Sequence, residues 1–133
     1  MIKNSKNKRG FTLLELLVVI SIIGILLALG AVAYSTAQQK GRDAKRRGDI
    51  KAFQSGFEQY YTDNNNAYGS PCSVMMDDTD FFPGGRPQDP RPDFFSYVCT
   101  ATADSYCVCA ELETGGGNAT ADDCTVGEGD YFC

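Results

Sequence analysis

Residues 11–33 read FTLLELLVVISIIGILLALGAVA, and this apolar run is the most informative part of the chain. Fifteen of its 23 residues are Leu, Ile, Val or Phe, and Glu15 carries its single charge. One helix of this length extends about 35 Å, which spans the hydrocarbon core of a bilayer. Its apolar side chains favour insertion by about 5 to 9 kcal/mol, whereas one carboxylate costs about 3 kcal/mol. The stretch therefore predicts a transmembrane helix.

Charges outside this segment are unevenly distributed. The first ten residues carry four bases and no acid, and residues 40–51 hold six bases against two acids. After Lys51 there are two bases against 14 acids. The positive-inside rule favours a basic leader in the cytoplasm, but the six bases of residues 40–51 put almost as much positive charge on the other side of the span. The acidic, Cys-rich head decides the orientation, since such a head belongs outside the cytoplasm. An acidic head also argues against nucleic acid as its partner.

All the cysteines lie in this acidic part: Cys72, Cys99, Cys107, Cys109, Cys124 and Cys133. An even number of cysteines in a short polar segment is typical of a disulfide scaffold in an oxidising compartment. The pairings that we consider join Cys99 to Cys107 or Cys109, and Cys124 to Cys133. A metal site at Cys107 and Cys109 is the less favoured alternative, since zinc sites usually space cysteines more widely and often use His.

The sequence contains no His. This excludes Ser-His and Cys-His nucleophile pairs, imidazole proton shuttles and His-ligated metals. An enzyme built on carboxylates is disfavoured, because no acid of the head lies in an apolar stretch that would shift its pKa towards catalysis. We therefore predict a protein that is not an enzyme and that uses no cofactor.

The stretch from Lys8 to Ile20, KRGFTLLELLVVI, resembles the leader of type IV prepilins and pseudopilins very closely. The resemblance implies that a prepilin peptidase of the inner membrane cuts after Gly10 and N-methylates Phe11. It also implies that Glu15 guides filament assembly by meeting the terminal amine of a neighbouring subunit. Two such charges about 4 Å apart attract by a few kcal/mol at intermediate dielectric, which offsets part of their desolvation cost.

Two simpler interpretations of the apolar segment stay open. Ala31-Val32-Ala33 is similar to the cleavage site of a secretory signal peptide, but the apolar run exceeds the usual length and such a peptide has no use for Glu15. A transmembrane anchor without processing is the other alternative.

The helix is predicted to continue from about Thr12 to Asn64, because no Pro precedes Pro71. Beyond the membrane segment, apolar residues recur at spacings of three, four and seven, which predicts one buried face. Its members are Ala37, Ala44, Ile50, Phe53, Phe57 and Tyr60 or Tyr61. The run from Asp63 to Asn66 then ends the helix, since Asn tolerates the left-handed conformation.

Residues 41–50, GRDAKRRGDI, also resemble the post-membrane helix of this family. Their bases form either a solvated helix face that complements acidic heads of neighbours, or a nucleic-acid patch. We favour the solvated face, because no aromatic residues are interleaved with the bases.

The head begins with a Pro- and Gly-rich loop, residues 70–93, followed by two predicted strands over 94–100 and 105–113. In the second strand, Tyr106, Val108, Ala110 and Leu112 share the face predicted to pack on the helix. Residues 87–90 and 110–113 are similar to the heads of major type II secretion pseudopilins. The predicted fold is therefore α+β and pilin-like: a long transmembrane and amphipathic helix packed on a small antiparallel sheet.

Acidic clusters at residues 77–80 and 122–123 mark the loops where pseudopilins of this kind often hold Ca²⁺. They lack the spaced oxygen ligands of a dedicated calcium loop, so we interpret them as solvated charge and predict no metal site, with Ca²⁺ as an open alternative. Asn118-Ala119-Thr120 matches a glycosylation sequon, a short pattern that is common by chance.

Four segments result: a basic leader (1–10), a transmembrane and filament-core helix (11–33), an amphipathic continuation (34–64) and a Cys-rich extracytoplasmic head (65–133). The predicted function is a structural subunit of a type IV pilus-like filament. A major pseudopilin of type II secretion and a minor or tip adhesive pilin are the alternatives. The expected partners are identical copies, the prepilin peptidase, an inner-membrane assembly platform and lipid before assembly. The expected location is the inner membrane, single-pass, with the head in the periplasm or outside the cell.

Overall fold

The computed structural model describes residues 10–133. It contains the helices α1 (Leu13–Asp63) and α2 (Ser73–Met76), and the strands β1 (Val98–Ala101), β2 (Tyr106–Glu111), β3 (Gly117–Ala119), β4 (Val126–Gly129) and β5 (Tyr131–Phe132). One long helix and one antiparallel sheet give the α+β architecture that the sequence predicts. The predicted leader lies outside the described residues, except for Gly10.

The chain divides into two compact units, and the boundary lies inside α1, between Ala37 and Gln38. The first unit contains the apolar part of α1, whose side chains are exposed to solvent. The second unit, Gln38–Cys133, contains the rest of α1, α2, the sheet and the hydrophobic core.

The sheet has the strand order β1-β2-β5-β3-β4, and all its pairings are antiparallel. β1 and β2 form the predicted hairpin, with Val98 opposite Cys109 and Ala101 opposite Tyr106. The strand predicted over 94–100 begins later, at Val98. β3, β4 and β5 were not predicted, because each is only two to four residues long, and β3 and β4 are rich in Gly, Asn or acids.

The core of the second unit lies between α1 and one face of the hairpin. Ile50, Phe53 and Phe57 are completely buried. Opposite them lie Val108 and Ala110, which confirms the face predicted for the second strand. Aromatic rings join the two layers, since the centroids of Phe57 and Tyr106 lie 5.1 Å apart in an edge-to-face arrangement.

The buried face of α1 differs from the predicted one in its first half. Ala37 and Ala44 are exposed, whereas Asp43 and Arg46 are buried. Residues 43, 46, 50, 53 and 57 therefore form one continuous helical stripe, because steps of three and four residues return to the same face. Apolar residues alone could not reveal a stripe whose first two members are charged.

α1 ends as expected, with Asn65 and Asn66 in the left-handed region at φ values of 56° and 58°. The following segment was predicted to be loop only, but it contains α2. Met75 of α2 and Phe82 beyond it are buried against Phe53 and Phe57. This segment therefore adds a second layer of apolar side chains to the core.

Candidate functional site

The predicted processing junction lies at the first described residues. Gly10 and Phe11 are exposed, and Phe11 exposes 87% of its surface. α1 begins at Leu13, so the peptide bond between Gly10 and Phe11 lies in non-helical backbone. An exposed bond outside a helix is open to proteolysis.

Thr12 and Glu15 form a capping box at the N-terminus of α1. Glu15 Oε2 accepts hydrogen bonds from the backbone N–H of Thr12 at 2.9 Å and from its hydroxyl at 3.0 Å. The Thr12 hydroxyl oxygen accepts the backbone N–H of Glu15 at 3.1 Å. This reciprocal pattern satisfies N–H groups at the helix start. Glu15 therefore has a local role that the sequence analysis missed, although the spacing Thr-x-x-Glu signals it.

The first unit exposes a large apolar surface between Phe11 and Tyr34. Its large apolar side chains are 46% to 88% exposed. Within residues 10–133, α1 is the one helix that is long and apolar enough to cross a membrane. A soluble monomer rarely exposes so large an apolar surface. Such a surface is typical of a segment that lipid or the apolar surface of another protein covers.

Two hydroxyl groups, Ser21 within this surface and Thr36 just beyond it, donate to carbonyl oxygens of the same helix. Ser21 donates to the carbonyl oxygen of Leu17 at 2.8 Å, and Thr36 donates to that of Val32 at 3.3 Å. Because a bilayer offers no hydrogen-bond partners, such internal bonds reduce the cost of placing these hydroxyls in lipid.

The second unit contains a buried ion cluster around Arg46, which has no exposed surface. Its Nε and Nη2 donate to both carboxylate oxygens of Asp89, at 2.6 and 3.0 Å. Its Nη1 donates to Asp43 at 2.8 Å and to Glu113 at 2.9 Å. The guanidinium carbon also lies 4.3 Å from the ring centroid of Phe95. One side chain thus joins α1 to the loop before β1 and to the segment after β2.

Two further contacts complete this cluster. Arg42 donates from Nε and Nη2 to both oxygens of Glu113, at 2.7 and 2.6 Å. Asp43 accepts the backbone N–H groups of Glu113 and Thr114 at 2.9 Å and the Thr114 hydroxyl at 2.7 Å. In the described part of the chain, every buried side-chain nitrogen and oxygen has a hydrogen-bond partner. Full satisfaction is the condition under which buried charges are tolerated.

The contacts within the cluster keep Glu113, Asp43 and Arg46 charged near neutral pH. The hydrogen bond from Arg42 lowers the pKa of Glu113 to about 2, although burial opposes this shift and Arg46 assists it. Burial also opposes ionisation of Asp43, but the hydrogen bonds from Thr114 and Glu113 outweigh it, so the pKa of Asp43 is lowered. Burial disfavours the charge on Arg46, yet the carboxylates of Asp89, Glu113 and Asp43 raise its pKa.

These contacts correct the interpretation of residues 41–50 as a solvated basic face. Arg46 is buried and Arg42 is half-buried, and both are saturated by carboxylates. Arg47 donates to the carbonyl oxygen of Gly116 at 2.7 Å. Of the adjacent bases Lys45, Arg46 and Arg47, only Lys45 is exposed. Its ammonium group pairs with the Asp49 carboxylate at 2.6 Å. The physical reason is that carboxylates distant in sequence return to this face of α1.

Tyrosine hydroxyls attach the head to α1 at two further points. The Tyr97 hydroxyl donates to Asp49 Oδ2 at 2.5 Å. Tyr68 and Tyr106 both donate to Glu58 Oε1, at 3.0 and 3.2 Å. Burial, assisted by Asp49, raises the pKa of Tyr97, so its hydroxyl stays a donor.

The disulfides are Cys72–Cys99, Cys107–Cys124 and Cys109–Cys133. The predicted pairing of Cys99 with Cys107 or Cys109 is therefore wrong, as is that of Cys124 with Cys133. Cys99 lies opposite Val108 in the hairpin and shares its face. Cys107 and Cys109 point to the other face, because successive residues of a strand alternate. The register, which the sequence does not supply, excludes the predicted bond.

Side chains of the predicted acidic clusters form local turns. Asp78 Oδ1 accepts the backbone N–H of Asp80 at 2.9 Å, and Asp123 Oδ1 accepts the hydroxyl of Thr125 at 2.6 Å. Asn118 of the sequon is also engaged, since its Nδ2 donates to the carbonyl oxygen of Cys133 at 2.9 Å. Within residues 10–133, the residues that bring at least three potential metal-ligand atoms close together are instead Cys107, Cys109 and Cys124, whose sulfurs lie within 4.8 Å of one another.

Comparison with known proteins agrees with these features. The family model described as the prokaryotic N-terminal methylation motif matches residues 5–31. The chain is 32% identical to the type IV wide pilus major component PilA4 of Thermus thermophilus over 108 residues, which are 79% of this chain and 74% of that protein. No solved structure matches the chain significantly.

Other relatives match over shorter stretches. The type II secretion system core protein G of Dickeya chrysanthemi is 34% identical over 88 residues, 63% of this chain and 58% of that protein. The type IV major pilin protein PilA of Myxococcus xanthus is 31% identical over 62 residues, 47% of this chain and 28% of that protein. The chain thus covers less than two thirds of these two proteins.

Proposed function

Because this chain belongs to the family of type IV pilins and type II secretion pseudopilins, we propose that it is a structural subunit of a type IV pilus-like filament. A prepilin peptidase cuts after Gly10 and N-methylates Phe11, and the mature subunit then adds to the filament from the inner membrane. The observation that carries this proposal is the methylation motif at the start of an exposed, membrane-length apolar helix. The subunit serves through assembly and is not an enzyme.

The apolar segment, residues 11–33, has two successive roles in this proposal. It first holds the subunit in the membrane, where lipid covers its side chains. In the filament it exchanges lipid for the equivalent helices of other subunits. This exchange requires a surface that is apolar on all sides, and the exposed side chains between Phe11 and Tyr34 supply one. Residues 34–64 continue the helix into the head, residues 65–133.

Glu15 provides the register between neighbouring subunits. The capping box occupies its Oε2, and among residues 10–133 no group donates to its Oε1. A positively charged Phe11 amine of a neighbouring subunit meets that oxygen at a similar depth in the membrane. Opposite charges in a medium of low dielectric attract strongly, so one axial stagger is favoured over others.

A pilus is favoured over a secretion pseudopilus by the extent of the similarity. The match with PilA4 includes 79% of this chain and 74% of that protein, whereas the match with core protein G of Dickeya chrysanthemi includes 63% and 58%. A major pseudopilin of a type II secretion system is the second candidate, supported by the several core G proteins among the relatives. A minor or tip adhesive subunit is the third.

The head lies outside the cytoplasm, in the periplasm or at the cell surface. Its three disulfides require an oxidising compartment. The four bases of residues 1–9 favour retention of the leader in the cytoplasm. Single-pass insertion in the inner membrane and an assembly platform as partner are part of this proposal and are consistent with this orientation.

Mass spectrometry of the native protein tests the proposal. We expect a mature chain that begins with N-methylated Phe11, and we expect this chain to dominate filaments sheared from the cell. A chain that retains residues 1–10, or one that begins at Tyr34, contradicts the processing. A methylated chain that is scarce in sheared filaments supports the minor subunit instead.

A further inference from the structure

We propose that the heads of neighbouring subunits join through two complementary surface patches at opposite edges of the sheet. The arginine patch comprises Arg86, Arg91 and Phe94, and the β4 patch comprises Asp122, Val126, Glu128 and Asp130. Each patch binds the other patch of a second copy of this chain. This inference rests on the proposed filament function and names the contact that the heads make within the filament.

Two large apolar side chains of the head are strongly exposed. Among the described residues after Tyr34, the exposed large apolar side chains are Val74, Phe94 and Val126, at 47%, 72% and 91%. Phe94 and Val126 each lie beside charged residues that are themselves at the surface. An apolar centre with a charged rim is the usual anatomy of a protein contact surface.

The arginine patch presents a guanidinium that is held in place but not used by its own chain. The guanidinium carbon of Arg91 lies 4.4 Å from the ring centroid of Phe94. The carboxylate of Glu113 lies 3.6 Å away, and it already accepts hydrogen bonds from two other arginines at 2.6 to 2.9 Å. Because stacking orients the Arg91 guanidinium in advance, it loses little freedom when it binds a carboxylate of a partner.

Arg86 extends the patch to the rim of a cavity of about 210 Å³. Pro87, Pro92 and Phe95 supply apolar walls of this cavity. The Arg86 guanidinium lies 3.9 Å from the Asp77 carboxylate, beyond hydrogen-bond distance, and both side chains are exposed. The cavity therefore offers an apolar side chain a concave surface, and Arg86 offers the acids around that side chain a cation.

The β4 patch has the opposite charge. Val126 and Glu128 share the exposed face of β4, because residues i and i+2 of a strand project to the same side. Asp122 before β4 and Asp130 after it are also exposed. Among residues 10–133, no base forms an ion pair with any of these three carboxylates. A cationic surface with an apolar recess is the complement of this patch.

The composition of the head favours this pairing between copies. After Lys51 the chain carries 14 acids, and Arg86 and Arg91 are its two bases. Acidic heads repel each other unless the bases of one head face the acids of the next. Asp93 reduces the positive charge of the arginine patch without cancelling it, since residues 86–94 contain two bases and one exposed acid.

The position of the patches suits an open-ended assembly. The sheet order is β1-β2-β5-β3-β4, so β1 and β4 are its edge strands. Arg86 lines a second cavity together with Cys99 of β1, whereas Val126 begins β4. A contact between two different patches of one chain is heterologous, and it generates a helical filament when its rotation does not close a ring.

The apolar helices make so small a contact sufficient. Helices packed in the filament core hold neighbouring heads side by side, so binding between the heads is effectively intramolecular. Complementary charges suppress wrong arrangements more than they add affinity. The two patches therefore fix how neighbouring heads are oriented, while the helices supply most of the cohesion.

Exchange of charges in the full chain, expressed in its native host, tests this contact. Arg86→Glu and Glu128→Arg are each expected to lower the yield of sheared filament by about tenfold or more, because like charges then face each other. The double variant exchanges the two charges and is expected to restore most of the yield. The matched control is Asp104→Arg, which reverses an exposed acid outside both patches and is expected to leave the yield unchanged.

Photo-crosslinking gives a second readout that does not depend on yield. A chain with p-benzoylphenylalanine in place of Val126 is produced together with the unmodified chain, so that filaments assemble. Irradiation of intact filaments is expected to join position 126 of one chain to residues 86–97 of another, which mass spectrometry identifies. The amount of mature chain in the membrane, measured for every variant, separates a folding or processing defect from loss of the contact.

Three results overturn the proposal but leave the filament function in place. These are normal filament yield from both single variants, absence of rescue in the double variant when mature chain is present at the normal level, and crosslinks from position 126 to α1 or to a different protein. Absence of the unmodified chain from sheared filaments overturns the filament function and this contact together.

Discussion

Arg46 and Asp89 form a buried bidentate ion pair across 43 residues of sequence, with Nε–Oδ2 and Nη2–Oδ1 distances of 2.6 and 3.0 Å. The side chain of Arg46 is fully buried and that of Asp89 is 2% exposed. This pair fixes the loop before β1 against α1. Removal of one partner leaves the other charge buried without compensation, which is the costly case for ion pairs.

We expect Arg46→Ala to destabilise the second unit by about 3 to 5 kcal/mol, because three carboxylates then lose their shared cation. Chemical denaturation of the oxidised full chain in detergent measures the free energy of unfolding. Lys51→Ala, an exposed position on the same helix, serves as control and is expected to change it by less than about 0.5 kcal/mol. Equal effects of the two variants would contradict the buried cluster.

Acid is expected to destabilise the protein through Glu113. The pKa of Glu113 is lowered in the folded state from 4.5 to about 2, so its stabilisation is complete above the unfolded value and is lost as the pH falls from 4.5 towards 2. Glu113→Gln is expected to lower stability at pH 7 and to flatten its decline below pH 4.5. Asp43 and Asp123, whose pKa values are also lowered, contribute to the dependence that remains. Parallel pH profiles for the two proteins would rule out this role of Glu113.

Two glycines of α1 are expected to respond oppositely to Ala. A Cβ at Gly56 would lie 2.5 Å from the Phe82 ring, which is itself buried, whereas a Cβ at Gly48 would meet nothing within 4 Å. Gly48→Ala is expected to stabilise by about 1 kcal/mol through helix propensity. Gly56→Ala is expected to destabilise by about 1 to 3 kcal/mol through overpacking. The midpoint of thermal unfolding, measured for both variants, tests this prediction. A higher midpoint for Gly56→Ala than for the unmodified chain would contradict it.

The two roles of Glu15 can be separated by substitution. Glu15→Gln retains the capping box, since Gln also bonds at this position, but it removes the charge. Thr12→Ala removes the hydroxyl of the box and retains the charge. If charge sets the stagger, Glu15→Gln and Glu15→Ala leave processing intact but reduce the yield of sheared filament, whereas Thr12→Ala preserves most of it. Normal filament yield from Glu15→Gln would contradict the assembly role.

Local patterns predicted the elements that depend on nearby residues. The apolar run and the absence of Pro predicted α1 to within a residue at either end, and the Asn residues predicted its exit. Alternation in 105–113 predicted which face of β2 is buried. Each of these signals comes from neighbours in sequence, where helix and strand periodicity determine which side chains share a face.

Contacts between distant segments could not be predicted in the same way. Arg46 reads as one of several bases on a helix, and its burial depends on Asp89 and Glu113, which are 43 and 67 residues away. The disulfides likewise depend on the register of β1 against β2. Short strands such as β5 have no periodic signal and exist only because β2 and β3 offer their edges.

The family motif, the apolar helix and its continuation can be read from residues close together in the chain, because helix propensity and hydrophobic periodicity act within a few residues. The charged members of the buried stripe of α1 and the disulfide pairing become visible only when the folded chain brings distant segments into contact. Both outcomes depend on the free energy of bringing remote segments together. Burial of an arginine is favourable only when carboxylates from other segments pair with it.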